Sequence, residues 1–167
     1  MTPDIRLNIR RATSNDAASL CRILNEIITI GGTTALETML SEAELNEHYI
    51  SGPDCIICFV AEVFNGEMHG FQTLVKNSEL PDDWADIGTF TRREPLIAGV
   101  GTALFEYTKT AARACGISAI NATIRADNNS GIRYYDKLGF KTYKIANAVP
   151  LKNGMPVDRI SKIYNLG

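Results

Sequence analysis

Apolar and polar positions alternate at the start of the chain, where Ile-Arg-Leu-Asn-Ile-Arg-Arg from Ile5 to Arg11 predicts a half-buried strand. The period then lengthens. Ala17, Leu20, Ile23, Leu24, Ile27 and Ile28 recur at spacings of three and four, which makes one apolar helical face; Ser14-Asn15-Asp16 offers capping side chains before it and Gly31-Gly32 ends it. A second, shorter helix is predicted over Ser41 to Ile50, because Ser41-x-x-Glu44 has the form of a capping box. Cys55 to Phe64 and His69 to Val75 are strand-like. The Asn65-Gly66 pair between them tolerates positive φ, so the two strands should form an antiparallel hairpin.

Trp84 to Thr91 predicts a fourth strand, followed by a loop containing Pro95 and a helix from Gly99 to Cys115 with an apolar row at Leu104, Tyr107, Ala111 and Ala114. Gly116 closes that helix. Ala119 to Arg125 is a fifth strand, Asn128 to Leu138 a helix capped by Gly139, and Phe140 to Ile145 and Val157 to Asn165 the last two strands. The resulting order, β-α-α-β-β-β-α-β-α-β-β, is that of an α/β protein with a mixed, mostly antiparallel central sheet. No repeat or low-complexity linker divides it, so one domain over residues 1–167 is expected.

Composition narrows the function classes. With 45% hydrophobic and 22% charged residues, the chain can bury its own core. A formal net charge of -2 provides no basic face for nucleic acid, so small molecules or peptides are the expected partners. Met1-Thr2-Pro3-Asp4 leads into mixed polar sequence, not a basic-then-apolar leader, and no run approaches the ~20 apolar residues of a membrane span. The expectation is a cytoplasmic protein that needs no membrane partner. Cys21, Cys55, Cys58 and Cys115 are too few and scattered for a disulfide framework. Cys55-x-x-Cys58 lies within a strand-like run, where residues an odd number apart point to opposite faces; the pair is therefore expected to be structural, and no metal is expected.

Candidate chemistry concentrates in two segments. In Gly99-Val100-Gly101-Thr102-Ala103-Leu104, two glycines open a helix. The first helical N–H groups have no internal partner, and glycine allows close approach, so this start suits a pyrophosphate as well as a plain tight turn. A dinucleotide fingerprint would need a third glycine where Leu104 stands and a tight strand-to-helix turn where the Arg92 to Ala98 loop lies. The second segment is Asn128-Asn129-Ser130-Gly131-Ile132-Arg133-Tyr134-Tyr135-Asp136-Lys137-Leu138-Gly139-Phe140.

Together these segments resemble the GNAT acyltransferases, whose fourth strand is followed by [Arg/Gln]-x-x-Gly-x-[Gly/Ala] and whose later helix carries Asn-x-x-Ala-x-x-Phe-Tyr-x-x-x-Gly-Phe. Gly99 and Gly101 fit the first motif, with Leu96 in place of the Arg or Gln. The second fits in order and spacing, with Gly131 for Ala. The resemblance implies acetyl-CoA as cofactor, its pyrophosphate held by the backbone N–H groups of Ile97, Ala98, Gly99, Val100, Gly101, Thr102 and Ala103. It places Asn128 and Gly131 at the pantetheine arm and puts a backbone N–H of the splayed fourth strand, around Phe90 and Thr91, at the thioester oxygen.

In the resemblance, Tyr135 falls on the family tyrosine, leaving Tyr134 to pack. A phenol near pKa ~10 can protonate a departing thiolate near ~8.5. An attacking amine must lose a proton, and the base is expected to be Asp86, with Glu37 second. The acceptor side is expected from the loop Thr33 to Glu37, including Thr34 and Glu37, from Phe71 and Gln72, and from the last hairpin. That loop resembles the phosphinothricin-type branch. Arg92, Arg93, Arg125 and Arg133 are equally open to CoA phosphate contacts or simple solvation. The expected activity is N-acetyl transfer to a primary amine of a small molecule or peptide; the alternative is a non-catalytic CoA-binding module. The resemblance also implies a homodimer through a terminal strand such as Val157 to Leu166.

Overall fold

A computed structural model describes residues 6–167, so Ile5, the first residue of the predicted opening strand, lies outside the described residues. Seven strands form one sheet in the order β1-β2-β3-β4-β5-β7-β6. They are β1 (Leu7–Arg11), β2 (Cys55–Val63), β3 (Met68–Val75), β4 (Trp84–Thr91), β5 (Ala119–Arg125), β6 (Lys141–Pro150) and β7 (Pro156–Asn165). Every neighbouring pair is antiparallel except β4 and β5. The helices are α1 (Ala17–Ile30), α2 (Glu42–Leu45, continued by a π turn over Asn46–Ile50), α3 (Val100–Ala114) and α4 (Asn129–Leu138).

Local chemistry sets these boundaries. The turn before α1 is fixed by Asp16, which accepts from the Thr13 backbone N–H at 2.8 Å and pairs with both terminal nitrogens of Arg10 at 2.9 Å. Capping here thus falls to Thr13 and Asp16, not to Ser14 or Asn15. The predicted Ser41–Glu44 box is present: the Glu44 N–H donates to Ser41 Oγ at 3.1 Å and the Ser41 N–H to Glu44 Oε2 at 2.7 Å.

The sheet is covered on both faces. Leu74, Ala85, Ile87, Ile120, Leu104 and Phe105 belong to the core under α3 and α4, while Phe71, Val60, Phe90, Leu20, Leu24 and Leu45 belong to the core under α1 and α2. Each fully buried Leu, Ile or Phe stabilises the fold by about 1.5–3 kcal/mol. β3 is buried on both sides, which explains why His69 to Val75 reads as a continuous run without strict alternation.

Three sequence expectations change. An irregularity between Cys55 and Ile57 resets the alternation of β2, so both Cys55 and Cys58 pack on the α1 side instead of on opposite faces; both are free thiols. β6 runs on to Pro150, five residues past the predicted Ile145, through a second irregularity between Ala146 and Val149. β7 is paired on both edges, by β5 and β6, so Val157 to Leu166 offers no free edge to a partner; among the described residues the free edge at this end belongs to β6.

The functional consequence lies between β4 and β5. Their parallel pairing comprises Trp84 with Ala119, Ala85 with Ile120 and Asp86 with Asn121, and stops there. Beyond it, Ile87 to Thr91 pair only with β3 and Ala122 to Arg125 only with β7, leaving a wedge-shaped opening in the middle of the sheet.

Candidate active site

The wedge opens into a cavity of about 780 Å³, in the range of small-molecule sites. Its walls draw on β4, the loop into α3, the far end of β5, the start of α4 and the loop Thr33 to Leu36.

At one end lies the start of α3. Gly99 has φ +85° and a side chain there would meet no atom within 4 Å, so the position needs glycine for its backbone and leaves open space in front of it. The first backbone bond of the helix runs from the Ala103 N–H to the Gly99 carbonyl at 2.9 Å. The N–H groups of Val100, Gly101 and Thr102 precede it and face outward at the positive end of the helix dipole, a fit for a diphosphate. Leu96, at the Arg/Gln position, is 74% exposed at the cavity rim and brings no polar group. Gly101 is required for a different reason: a Cβ there would sit 2.8 Å from the Tyr134 ring, whose hydroxyl donates to the Gly101 carbonyl at 2.7 Å.

α4 forms the facing wall. Asn128 caps it, with Oδ1 accepting from the Gly131 N–H at 3.0 Å and from Ser130 Oγ at 3.1 Å, while Nδ2 donates to the Thr33 carbonyl at 3.1 Å. A Cβ on Gly131 would lie 2.4 Å from Nδ2, so the glycine that replaces the family alanine makes room for this cap. Tyr134 and Tyr135 both border the cavity. The Tyr135 ring packs on Phe140, centroids 5.0 Å apart, and its hydroxyl meets Thr89 Oγ1 at 2.9 Å. Burial pushes the Tyr134 phenol up to about 12 and holds the Tyr135 phenol far above the usual tyrosine range. Both are therefore protonated at neutral pH.

Asp86 sits where the wedge begins, three residues before Thr89, so the two side chains project to opposite faces of β4. Burial raises the Asp86 carboxyl above its ordinary 3.8, opposed by the Asn121 amide donating to Oδ1 at 2.8 Å and by Asn77 at 3.4 Å. Asn121 is oriented in turn by the Tyr143 hydroxyl, which donates to its Oδ1 at 2.6 Å. A carboxyl raised in this way by burial is a better proton acceptor than an exposed aspartate.

The remaining expected residues divide. Thr34 borders the cavity, and its carbonyl accepts from Arg125 at 3.4 Å. Glu37 is exposed and accepts from the Lys152 backbone N–H at 3.0 and 3.2 Å, which ties its loop to the last hairpin. Phe71 is fully buried against Phe90 under α1. Gln72 is also fully buried, but on the α3 side, where Nε2 donates to Thr89 Oγ1 and to Tyr134 Oη. Because the Arg92 N–H bonds the His69 carbonyl, alternation turns the Phe90 N–H toward β3 and the Thr91 and Thr89 N–H groups toward the wedge. Arg93 donates to Thr33 Oγ1 at 3.1 Å across the cavity mouth, Arg125 is held by Asp127 at 2.9 and 2.7 Å, Arg92 pairs with Glu67, and Arg133 is exposed.

Thr89, Asn121, Tyr143 and Tyr49 join the site without having been expected. The first two are polar residues inside strand-like runs, a signal visible in sequence; Tyr143 and Tyr49 carry none.

A split parallel pair, an anion-receptive helix start at one end of the opening, and a carboxylate and phenols lining the cavity define a transferase class of site. Residues 9–161 match the family model described as acetyltransferase (GNAT) domain, and the chain belongs to that family. Among curated proteins none matches it. Solved structures share the fold: an N-acetyltransferase from Staphylococcus aureus Mu50 has TM-score 0.82 at 20% identity, covering 97% of this chain and 99% of that one. A GCN5-related N-acetyltransferase from Kribbella flavida has TM-score 0.81 at 21% identity over 95% and 97%. A phosphinothricin acetyltransferase from Sinorhizobium meliloti in complex with acetyl-CoA has TM-score 0.81 at 23% identity over 96% and 89%.

Proposed function

We propose that the protein is an N-acetyltransferase that moves the acetyl group of acetyl-CoA directly to a primary amine of a small molecule or peptide in a ternary complex. The observation that carries this reading is that one cavity joins the open amides of α3, the wedge, Asp86 and Tyr135. The acetyl-CoA complex of the Sinorhizobium meliloti protein of the same fold supports the choice of donor.

In this reading the N–H groups of Val100, Gly101 and Thr102 bind the diphosphate, and the pantetheine arm lies along the wedge past Asn128 and Gly131. An alkyl ammonium with a pKa of about 10 must lose a proton before it attacks, and Asp86 accepts it. The amine nitrogen then forms its bond to the thioester carbon. Negative charge grows on the carbonyl oxygen, within reach of the wedge-facing N–H groups of Thr89 and Thr91. As the C–S bond breaks, its electron pair goes to sulfur, which takes the proton of Tyr135, while the newly acylated nitrogen sheds its second proton to solvent to leave the neutral amide. Thr34 and the Asp86–Asn121 corner border the acceptor; Glu37 acts by anchoring its loop.

The test is release of CoA thiol over a panel of primary amines, with calorimetric binding of acetyl-CoA measured in parallel. Tyr135→Phe is expected to lower kcat by about 10²- to 10⁴-fold with acetyl-CoA affinity retained. Acetyl-CoA binding without transfer to any amine would replace this reading with the binding module.

A further inference from the structure

We propose that Gln72 and Thr89 form a one-way hydrogen-bond relay that turns the proton of Tyr135 toward the cavity, making both of them positioning residues for the acid. The inference rests on the reading above, in which Tyr135 protonates the leaving group.

Counting hydrogens fixes the amide end of the relay. Gln72 and Thr89 face each other across β3 and β4 in a register where the backbones do not bond each other, the kind of pair whose side chains approach most closely. The two Nε2 hydrogens of Gln72 go to Thr89 Oγ1 at 2.9 Å and Tyr134 Oη at 3.1 Å. Tyr134 directs its own hydrogen at the Gly101 carbonyl, 2.7 Å away. Thr89 Oγ1 therefore accepts from the amide; either hydroxyl of the 2.9 Å Thr89–Tyr135 contact can donate, and in the proposed direction the single hydrogen of Thr89 goes to Tyr135 Oη. Tyr135, having accepted, keeps its hydrogen for the cavity it borders.

The opposite amide orientation is worse. It would put Oε1 between the hydroxyls of Thr89 and Tyr134, the second of which already donates to the Gly101 carbonyl, and bury two N–H donors where Oε1 now stands without a partner among the described residues. That lone buried acceptor is the cost of aiming both donors into the relay. The benefit comes during turnover. Burial opposes a phenolate at Tyr135, and a Thr89 hydroxyl already pointing at it supplies a charge-assisted bond as the proton leaves for sulfur. The phenolate regains a proton from water before the next cycle. Through Tyr134, the same amide also fixes the carbonyl of the first turn of α3, so one side chain ties the diphosphate end of the site to the acid.

The test is a double-mutant cycle of Thr89→Val with Tyr135→Phe, with Thr89→Ser as the conservative control and circular dichroism as the check on folding. Thr89→Val is expected to lower kcat by about 10- to 100-fold, with KM for acetyl-CoA within about twofold, because a hydrogen bond to a charged group is lost. Thr89→Ser should recover most of that loss. In the Tyr135→Phe background, Thr89→Val should change kcat by less than about twofold. An equal loss in both backgrounds, or no loss in the wild type while Tyr135→Phe is impaired, overturns the relay alone. An unimpaired Tyr135→Phe removes the acid and the relay with it. Should Thr89→Val misfold, Gln72→Glu in the same cycle decides, read as kcat at saturating acetyl-CoA because Gln72 also reaches α3 through Tyr134: its effect on kcat must likewise vanish without the phenol, and a kcat effect that persists overturns the relay.

Discussion

Asp86 and Asn121 are the last residue pair in the parallel contact of β4 with β5, and their side chains are joined by a 2.8 Å hydrogen bond at the point where the two strands part. The strand that carries the carboxylate thus also marks the edge of the opening. Alternation along β4 then puts Thr89, and behind it Tyr135, on the other face of the strand.

Asp86→Asn should lower kcat by about 10²- to 10⁴-fold and remove the acidic limb of the pH profile, because the base acts only when deprotonated. In the parent protein that limb should lie above the ordinary carboxylate value of 3.8. A steady-state kcat/KM profile from pH 4 to 9 checks it.

The same substitution should stabilise the fold. The folded state holds the Asp86 proton more tightly than the unfolded chain, so stability falls as pH rises from 3.8 through the raised value. Replacing the carboxylate with a neutral amide is expected to raise Tm by about 2–4 °C at pH 7, for a gain of about 1 kcal/mol. Scanning calorimetry at pH 7 gives the sign directly.

Asn121→Leu removes the N–H that favours the charged form of Asp86 and opposes its upward shift. The acidic limb should move to higher pH while the plateau rate falls. A limb that stays in place would show that Asn121 does not tune the base.

Gly99→Ala should weaken acetyl-CoA binding by about tenfold, since a left-handed residue other than glycine costs about 1–2 kcal/mol and shifts the first amides of α3. Gly101→Ala should do so by another route, pushing the Tyr134 ring off the carbonyl it caps. Calorimetric titration of both variants, with Tyr134→Leu/Gly101→Ala as the relief variant that removes the opposing ring, separates the two causes.

Asn128→Ala should destabilise the protein by about 1–2 kcal/mol, because it removes the α4 cap and the bond to the Thr33 carbonyl together. Urea denaturation measures it.

Period and punctuation in the sequence determined the element order and the approximate bounds of the two motif-bearing helices and of every strand but β6, because spacing of apolar residues, caps and glycines act over a few residues. The same locality explains why Gly99 at the start of α3 and the Asn128 cap of α4 were legible. Tertiary structure decided the rest. The insertion of β7 between β5 and β6, the reset of β2 that brings Cys55 and Cys58 to one face, and the parting of β4 from β5 beyond Asp86 depend on pairing between strands distant in the chain. No local period encodes which strand lies beside which, and so none could show that Thr89 and Tyr135, 46 residues apart, share a hydrogen bond.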